Sequence, residues 1–334
     1  MPAPRIDIWH NDRPRVAARG QTQPWANLLG RITCDDAPIY TAAYQCNDGP
    51  FTPLMLGPSA YRLREPGDFN IELPFDALHE GENVVQIWAS NHAGEVTRRD
   101  VVLEHRAVER CPLPAHVAWG ELDAIDAAAH VIDGHWRITP AGVRPVTLAY
   151  DRLIAIGDMT WGDYTASVTA TIHGYETLPA VYNWPSYGPA LGVLMGWQGH
   201  RQWGDMVPPR GWHPFGSLAI YRWHKDGPMR KELWAGVRGE YIGRRDCAHD
   251  PELERPYVFK LQSRTQPGAP SHFAMKVYPA DEPEPADWDI QGQAVPGSHT
   301  HGSLVLLAHH TDVTFGDVTV EPAGDHGPTR PSHR

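Results

Sequence analysis

Residues 67–105 read GDFNIELPFDALHEGENVVQIWASNHAGEVTRRDVVLEH, and this stretch carries the clearest strand pattern in the first part of the chain. Phe69, Ile71 and Leu73 alternate with other residues, and the same alternation recurs over residues 85–89. A period of two is typical of a strand with one buried face, and glycine-containing turns separate the runs. Short strands separated by such turns predict a β-sandwich here.

The motif G-E-N-x-V-x-I-x-A-x-N-x-x-G at residues 81–94 resembles bacterial Ig-like modules, and the resemblance covers residues 5–105. It implies an Ig-like sandwich of the kind that commonly serves as a spacer or accessory domain. Pro112 and Pro114, within residues 105–119, then break the strand rhythm. We therefore predict an Ig-like domain over residues 1–106, a linker over 107–116, a second domain over 117–322 and a flexible tail over 323–334.

The second domain carries the motifs Y-x-F-K-L at residues 257–261 and F-x-M-K-V-Y-P at 273–279. It closes with GSLVLLA at 302–308 and TDVTFGDVTV at 311–320. Together these motifs resemble the concanavalin A-like (laminin G-like) jelly roll. The resemblance implies a two-sheet domain whose last strand returns beside the first, with glycans bound on a concave face. The predicted fold class is all-β, an Ig-like β-sandwich followed by a concanavalin A-like jelly roll.

The composition and the net charge argue against several classes of partner. The formal net charge of −11 argues against nucleic acid or an anionic membrane as the main partner, because both attract basic surfaces. No apolar run is long enough to span a bilayer, and residues 1–15 lack the apolar core of a signal peptide. A cytoplasmic protein with reduced cysteines is the simplest interpretation, although a secreted protein that has lost its signal peptide would look the same. Cys34 and Cys46 could face each other across a hairpin of the first domain.

The stretch from Tyr182 to Trp234 carries six of the thirteen tryptophans, with histidines and arginines among them. Pyranose C–H faces stack on indole rings, while sugar hydroxyls need polar partners. The pattern therefore favours a glycan-binding surface, although any one of these tryptophans could instead pack in a core. The predicted stacking residues are Trp184, Trp197, Trp203, Trp212 and Trp223, and the predicted hydrogen-bonding residues are His200, Arg201, Tyr221 and Arg222.

Two patterns favour a bond-breaking site instead. The sequence ELDAID at residues 121–126 resembles the E-x-D-x-x-E strand of laminarinase-like glycoside hydrolases, but Asp126 is shorter than Glu and would alter the carboxylate separation. A polysaccharide lyase needs a base, a tyrosine and a cation, and all three residue types are present between Tyr182 and Trp234. Strand alternation, however, puts Tyr221 and Arg222 on opposite faces. For an enzyme, the candidate catalytic residues are His200, Tyr221 and Glu121.

The concanavalin A-like resemblance also implies a calcium site, held by backbone carbonyls and one carboxylate of the last strand, which by position is Asp317. The leading predicted function is recognition of an oligo- or polysaccharide on the concave face. The first alternative is a carbohydrate-cleaving enzyme, either a glycoside hydrolase or a polysaccharide lyase, that uses the same cleft. The second is a structural or assembly protein whose aromatic residues form an interface.

Overall fold

A computed structural model describes residues 2–59, 61–106, 110–176, 188–200, 212–224, 227–236, 239–266 and 268–324. Within these ranges the chain forms strands and three 3₁₀ turns, at Phe75–Ala77, Trp119–Glu121 and Ile125–Ala127, and no α-helix. None of the described residues therefore forms a helix that is long and apolar enough to cross a membrane. The all-β fold class is confirmed.

The first eight strands form two sheets packed face to face. They are β1 (Arg5–Ile8), β2 (Arg15–Val16), β3 (Trp25–Thr33), β4 (Ile39–Cys46), β5 (Thr52–Pro53), β6 (Asp68–Pro74), β7 (Gly81–Asn91) and β8 (Val96–His105). One sheet has the order β1-β3-β6 and the other β2-β8-β7-β4-β5. Phe69, Ile71 and Leu73 of β6 and Val85 and Ile87 of β7 are buried between the sheets, which confirms the alternation seen in the sequence.

The later strands form a second and larger sandwich. They are β9 (Ala115–Val117), β10 (Ala129–Asp133), β11 (Trp136–Thr139), β12 (Gly142–Pro145), β13 (Arg152–Ile156), β14 (Tyr164–Tyr175), β15 (Ala190–Trp197), β16 (Phe215–Arg222), β17 (Arg230–Gly236), β18 (Glu240–Asp246), β19 (Pro256–Gln266), β20 (Ala269–Pro279), β21 (Ile290–Gln293), β22 (Ser303–His309) and β23 (Thr311–Pro322). A seven-stranded sheet has the order β10-β13-β22-β15-β16-β17-β18. The facing sheet has the order β11-β12-β23-β14-β19-β20-β21, and β9 pairs with β23. The last strand thus returns beside the first strand of this domain, as the jelly-roll resemblance implied.

The seven-stranded sheet is buried on both faces. Leu191 and Val193 of β15 pack into the core between the sheets. Leu194 of the same strand and Leu218 of β16 belong to a second apolar cluster on the outer face. A strand that is apolar on both sides shows a continuous hydrophobic run rather than clean alternation, and this is what "ALGVLMGW" in β15 displays.

Buried charges join the two sandwiches. Arg62, in the loop before β6, donates from Nε to Asp133 Oδ1 at 2.5 Å and from Nη1 to Glu72 Oε1 at 2.7 Å. The Arg62 and Asp133 side chains are only 2% and 1% exposed. Burial raises the pKa of Glu72, but the charges of Arg62 and His200 outweigh it and lower the value to about 2. The first sandwich is therefore firmly packed against the second.

Two neutral histidines complete this interface. His130 Nε2 accepts the backbone N–H of Asn27 at 3.0 Å, and His10 Nε2 accepts that of Trp136 at 3.0 Å. Burial lowers the pKa of His130 to about 4, and burial together with His135 lowers that of His10 to about 3. Each ring can accept its hydrogen bond only while that nitrogen is unprotonated.

Candidate binding site on the seven-stranded sheet

The outer face of the seven-stranded sheet corresponds to the concave face that the jelly-roll resemblance implies, and Trp212 lies across it. Trp212 donates its indole N–H to Asp151 Oδ2 at 2.7 Å, and its ring centroid lies 6.0 Å from that of Trp234. Asp151 immediately precedes β13, whereas Trp234 lies in β17, and three strands separate these two in the sheet. At about 4.8 Å per strand, a flat sheet would hold them roughly 19 Å apart. Trp212 therefore bridges the two sides of this face through side-chain contacts.

A charged cluster lies at the β16 and β17 side of this face. Glu232 Oε2 accepts from Arg222 Nε at 3.2 Å and from the Trp234 indole N–H at 3.1 Å. His224 Nε2 lies 3.3 Å from Glu232 Oε1, and burial lowers the pKa of His224. The Arg222 and Glu232 side chains are only 5% and 1% exposed. A buried ion pair adds little net stability, so this cluster is a polar patch in a face that is otherwise lined by apolar side chains.

A second polar cluster lies at the β13 and β22 side. His309 Nδ1 is 2.7 Å from Asp151 Oδ1, while Trp212 occupies the other oxygen of that carboxylate. Burial raises the pKa of Asp151, but the contact with His309 outweighs it and holds the value below its usual range. His309 and Arg222 both pair with Ala190 of the central strand β15. The two clusters therefore lie on either side of this small residue, about 10 Å apart along the sheet.

The residues predicted from the aromatic stretch separate into several places. Trp197 and Trp212 lie on the outer face but are buried among apolar side chains. Tyr221 and Trp223 instead face the core between the sheets, because alternation puts them opposite Arg222. His200 lies against the first sandwich, with its ring centroid 4.8 Å from that of Trp25. Arg222 joins the charged cluster on the concave face, whereas Trp184, Trp203 and Arg201 lie outside the described residues.

The expected hydrolase motif does not form a strand, and this expectation was wrong. Residues 119–127 contain two 3₁₀ turns, and Glu121 is exposed at the end of the first. Asp126 accepts hydrogen bonds from the backbone N–H and the guanidinium of Arg15, both at 2.8 Å, and Asp123 pairs with the same guanidinium at 3.0 Å. These carboxylates therefore hold the first sandwich in place and do not share one face of a sheet.

The predicted calcium ligand has a local structural contact. Asp317 is exposed, and its Oδ1 accepts the backbone N–H of Trp119 at 3.1 Å. Among the residues that the structure describes, no three acidic, histidine or cysteine side chains group as metal ligands. Calcium binding stays a prediction. Cys34 and Cys46 are not joined to each other, and both thiols are free.

Sequence reasoning missed Glu232, Trp234, Asp151 and His309 as members of this face. Glu232 and Trp234 share one side of β17, but Glu232 follows Arg230 and Lys231, so the local sequence resembles a solvated charged run. Asp151 and His309 gave no local signal, since they lie in different parts of the chain and meet only through the order of the strands.

Changing Trp212 to phenylalanine is expected to lower the free energy of unfolding by about 1–3 kcal/mol, because the buried Asp151 carboxylate would lose a hydrogen bond. Urea unfolding monitored by circular dichroism measures the change. Trp88→Phe, on the half-buried outer side of β7, is the matched control and should stay within about 0.5 kcal/mol of the wild type. Equal stability of the two variants would contradict the described environment of Trp212.

Comparisons with known proteins gave matches only among solved structures. No protein-family model matches the chain, and no curated protein does. The carbohydrate recognition domain of Emp46p in its metal-free form has a TM-score of 0.44 and 7% identity, covering 62% of this chain and 95% of that one. The exoplasmic/lumenal domain of VIP36 in its Ca²⁺-bound form has a TM-score of 0.42 and 10% identity, covering 60% and 86%. A legume lectin-like domain from Entamoeba histolytica has a TM-score of 0.40 and 9% identity, covering 59% and 91%.

Proposed function

We propose that the protein recognises a glycan at the concave face of the seven-stranded sheet. The observation that carries this proposal is the cluster of Glu232, Arg222, His224 and Trp234, in which a buried carboxylate is surrounded by donors and an indole. Burying such charges costs desolvation free energy, which their mutual hydrogen bonds offset only in part. We propose that the first sandwich is an Ig-like accessory domain.

Sugar chemistry fits the groups that border this face. A pyranose offers hydroxyls that both donate and accept, together with apolar C–H faces. His224 and His309 are each 11% exposed at the side chain, so their rings are the members of the two clusters that hydroxyls can approach. Paired charges suit a neutral ligand, because Glu232 and Arg222 compensate each other. Net charge therefore plays little part in this recognition.

Binding is tested with a panel of cello-, laminari-, manno-, xylo-, galacto- and chito-oligosaccharides. Intrinsic tryptophan fluorescence reports binding, and product analysis after overnight incubation reports cleavage. We expect at least one series to shift the fluorescence, since Trp212 and Trp234 lie within the site. Repeating the titration with EDTA tests the predicted calcium site, because a calcium-dependent protein would lose binding when the metal is removed.

His224→Ala is expected to weaken that binding about tenfold, because a hydrogen bond within a charged cluster is worth roughly 1.5 kcal/mol. His116→Ala, an exposed histidine of β9 on the other sheet, is the matched control and should bind as the wild type does. A panel without any fluorescence shift would overturn the glycan proposal. New reducing ends or unsaturated products would favour the carbohydrate-cleaving alternative.

A further inference from the structure

An aromatic and histidine cluster lies where the first sandwich meets the end of the concave face. The Tyr61 ring packs edge-on against Tyr150, with centroids 4.9 Å apart and planes at 73°. Tyr150 in turn packs against His309 at 4.8 Å, and His309 against His310 at 4.7 Å. Tyr61 belongs to the first sandwich, so this contact extends the His309 side of the candidate site onto that domain.

A charged contact runs beside the rings. Arg64 Nη2 donates to Glu176 Oε1 at 3.1 Å, and His310 Nδ1 lies 2.8 Å from the other oxygen of Glu176. The Arg64 and Glu176 side chains are 43% and 33% exposed, so a ligand at the surface can reach both. Polar groups with both hydrogen-bond donors and acceptors thus line the outside of the aromatic cluster.

The loop that carries Tyr61 and Arg64 is held in place from both sides. Within the loop, Ser59 Oγ accepts the backbone N–H of Leu63 at 3.1 Å. From the second sandwich, Arg152 Nη2 donates to the carbonyl oxygens of Tyr61 at 3.2 Å and Arg62 at 3.0 Å. The loop is therefore held in place without a ligand, which reduces the conformational entropy that is lost on binding.

We propose that the first sandwich contributes to the binding site, in which Tyr61 and Arg64 form a second subsite for a sugar unit beyond His309. The inference rests on the proposed glycan function and extends it to longer oligosaccharides. The half-buried tyrosine pair offers the exposed part of its rings for stacking, and the Arg64–Glu176 pair offers partners for hydroxyls. Recognition of an extended glycan, with several sugar units bound along the domain junction, follows from this arrangement.

The test compares oligosaccharides of two and six units, taken from the series that shifts the fluorescence of the wild type. Isothermal titration calorimetry is run on the full chain and on its Tyr61→Ala and Arg64→Ala variants. We expect Tyr61→Ala to weaken binding of the six-unit sugar about five- to tenfold, as loss of an aromatic contact does, and to leave the two-unit sugar unchanged. Tyr61→Phe keeps the ring and should retain most of the affinity.

Tyr40→Ala, which removes a 69% exposed tyrosine elsewhere on the first sandwich, is the matched control and should bind both sugars as the wild type does. Thermal melting shows whether each variant is folded. If both Tyr61→Ala and Arg64→Ala bind the six-unit sugar normally while His224→Ala does not, the second subsite is overturned and the glycan function stands. If no oligosaccharide binds the wild type, both proposals are overturned.

Discussion

Replacing Arg62 with methionine is expected to lower the free energy of unfolding by about 3–5 kcal/mol, the usual cost of leaving a buried charge without its partner. Arg62 is the guanidinium that neutralises both Asp133 and Glu72 at the junction of the two sandwiches. Burial already raises the pKa of Asp133, and removal of Arg62 would leave this carboxylate with fewer partners in the same apolar surroundings. Urea or guanidinium unfolding, followed by circular dichroism, measures the loss.

A double variant separates the charge effect from lost packing. Arg62→Met combined with Asp133→Leu removes both members of the most buried pair, so it should be less destabilised than Arg62→Met alone. The remaining carboxylate, Glu72, keeps its contact with His200 at 3.2 Å. Arg64→Met, two residues further along but 43% exposed, is the control and should cost less than about 1 kcal/mol. A single Arg62 variant as stable as the wild type would mean that the junction does not depend on this ion pair.

Stability is expected to fall steeply as the pH drops below about 6.5, the unfolded-state pKa of histidine. The folded-state pKa values of His130 and His10 are lowered to about 4 and about 3. Between these values and pH 6.5, the two histidines are protonated in the unfolded chain but neutral in the folded chain. Their contribution is complete above pH 6.5 and is lost as the pH falls towards the folded values. Near pH 5 these two rings alone give a slope of about 2.5 kcal/mol per pH unit.

Glu72 adds a second window at lower pH. Its folded pKa of about 2 lies below the ordinary value of 4.5, so its contribution is present above pH 4.5 and is lost as the pH falls towards 2. Chemical unfolding in steps from pH 7.5 to pH 4 measures the first window. His130→Gln should reduce the slope by about half, since one of the two protons is no longer taken up. His116→Gln is the control and should keep the full slope, whereas a flat profile between pH 7 and 5 would rule out the neutral buried histidines.

Much of the fold could be predicted because its signals are local. The alternation in β6 and β7 identified Phe69, Ile71 and Val85 as core residues, and the structure buries all three. The same rule separated Tyr221 from Arg222, and the two do lie on opposite faces of the sheet. The period of a strand is set by its own backbone, so no knowledge of distant residues is needed to place a side chain on one face or the other.

The candidate site could be predicted only in part, because its members come together through long-range pairing. Asp151 is 61 positions from Trp212 and 158 positions from His309. For the ELDAID motif, the local pattern predicted the wrong structure. Its spacing suits a strand, but Asp126 binds Arg15 of the first sandwich and the segment forms a 3₁₀ turn. A pattern of residue types does not reveal which distant cation will reach a carboxylate.

The sequence by itself determined an all-β chain, the buried positions of its alternating strands and a tryptophan-rich region that borders the candidate site. Tertiary structure alone decided which of those aromatic residues face the concave sheet and which fill the core between the sheets. It also brought Tyr61 and Arg64 of the first sandwich into contact with Tyr150 and Glu176 of the second. The physical reason is that strand order and sheet twist arise from contacts between distant segments. The alternation within a single strand does not depend on these contacts, so it does not reveal them.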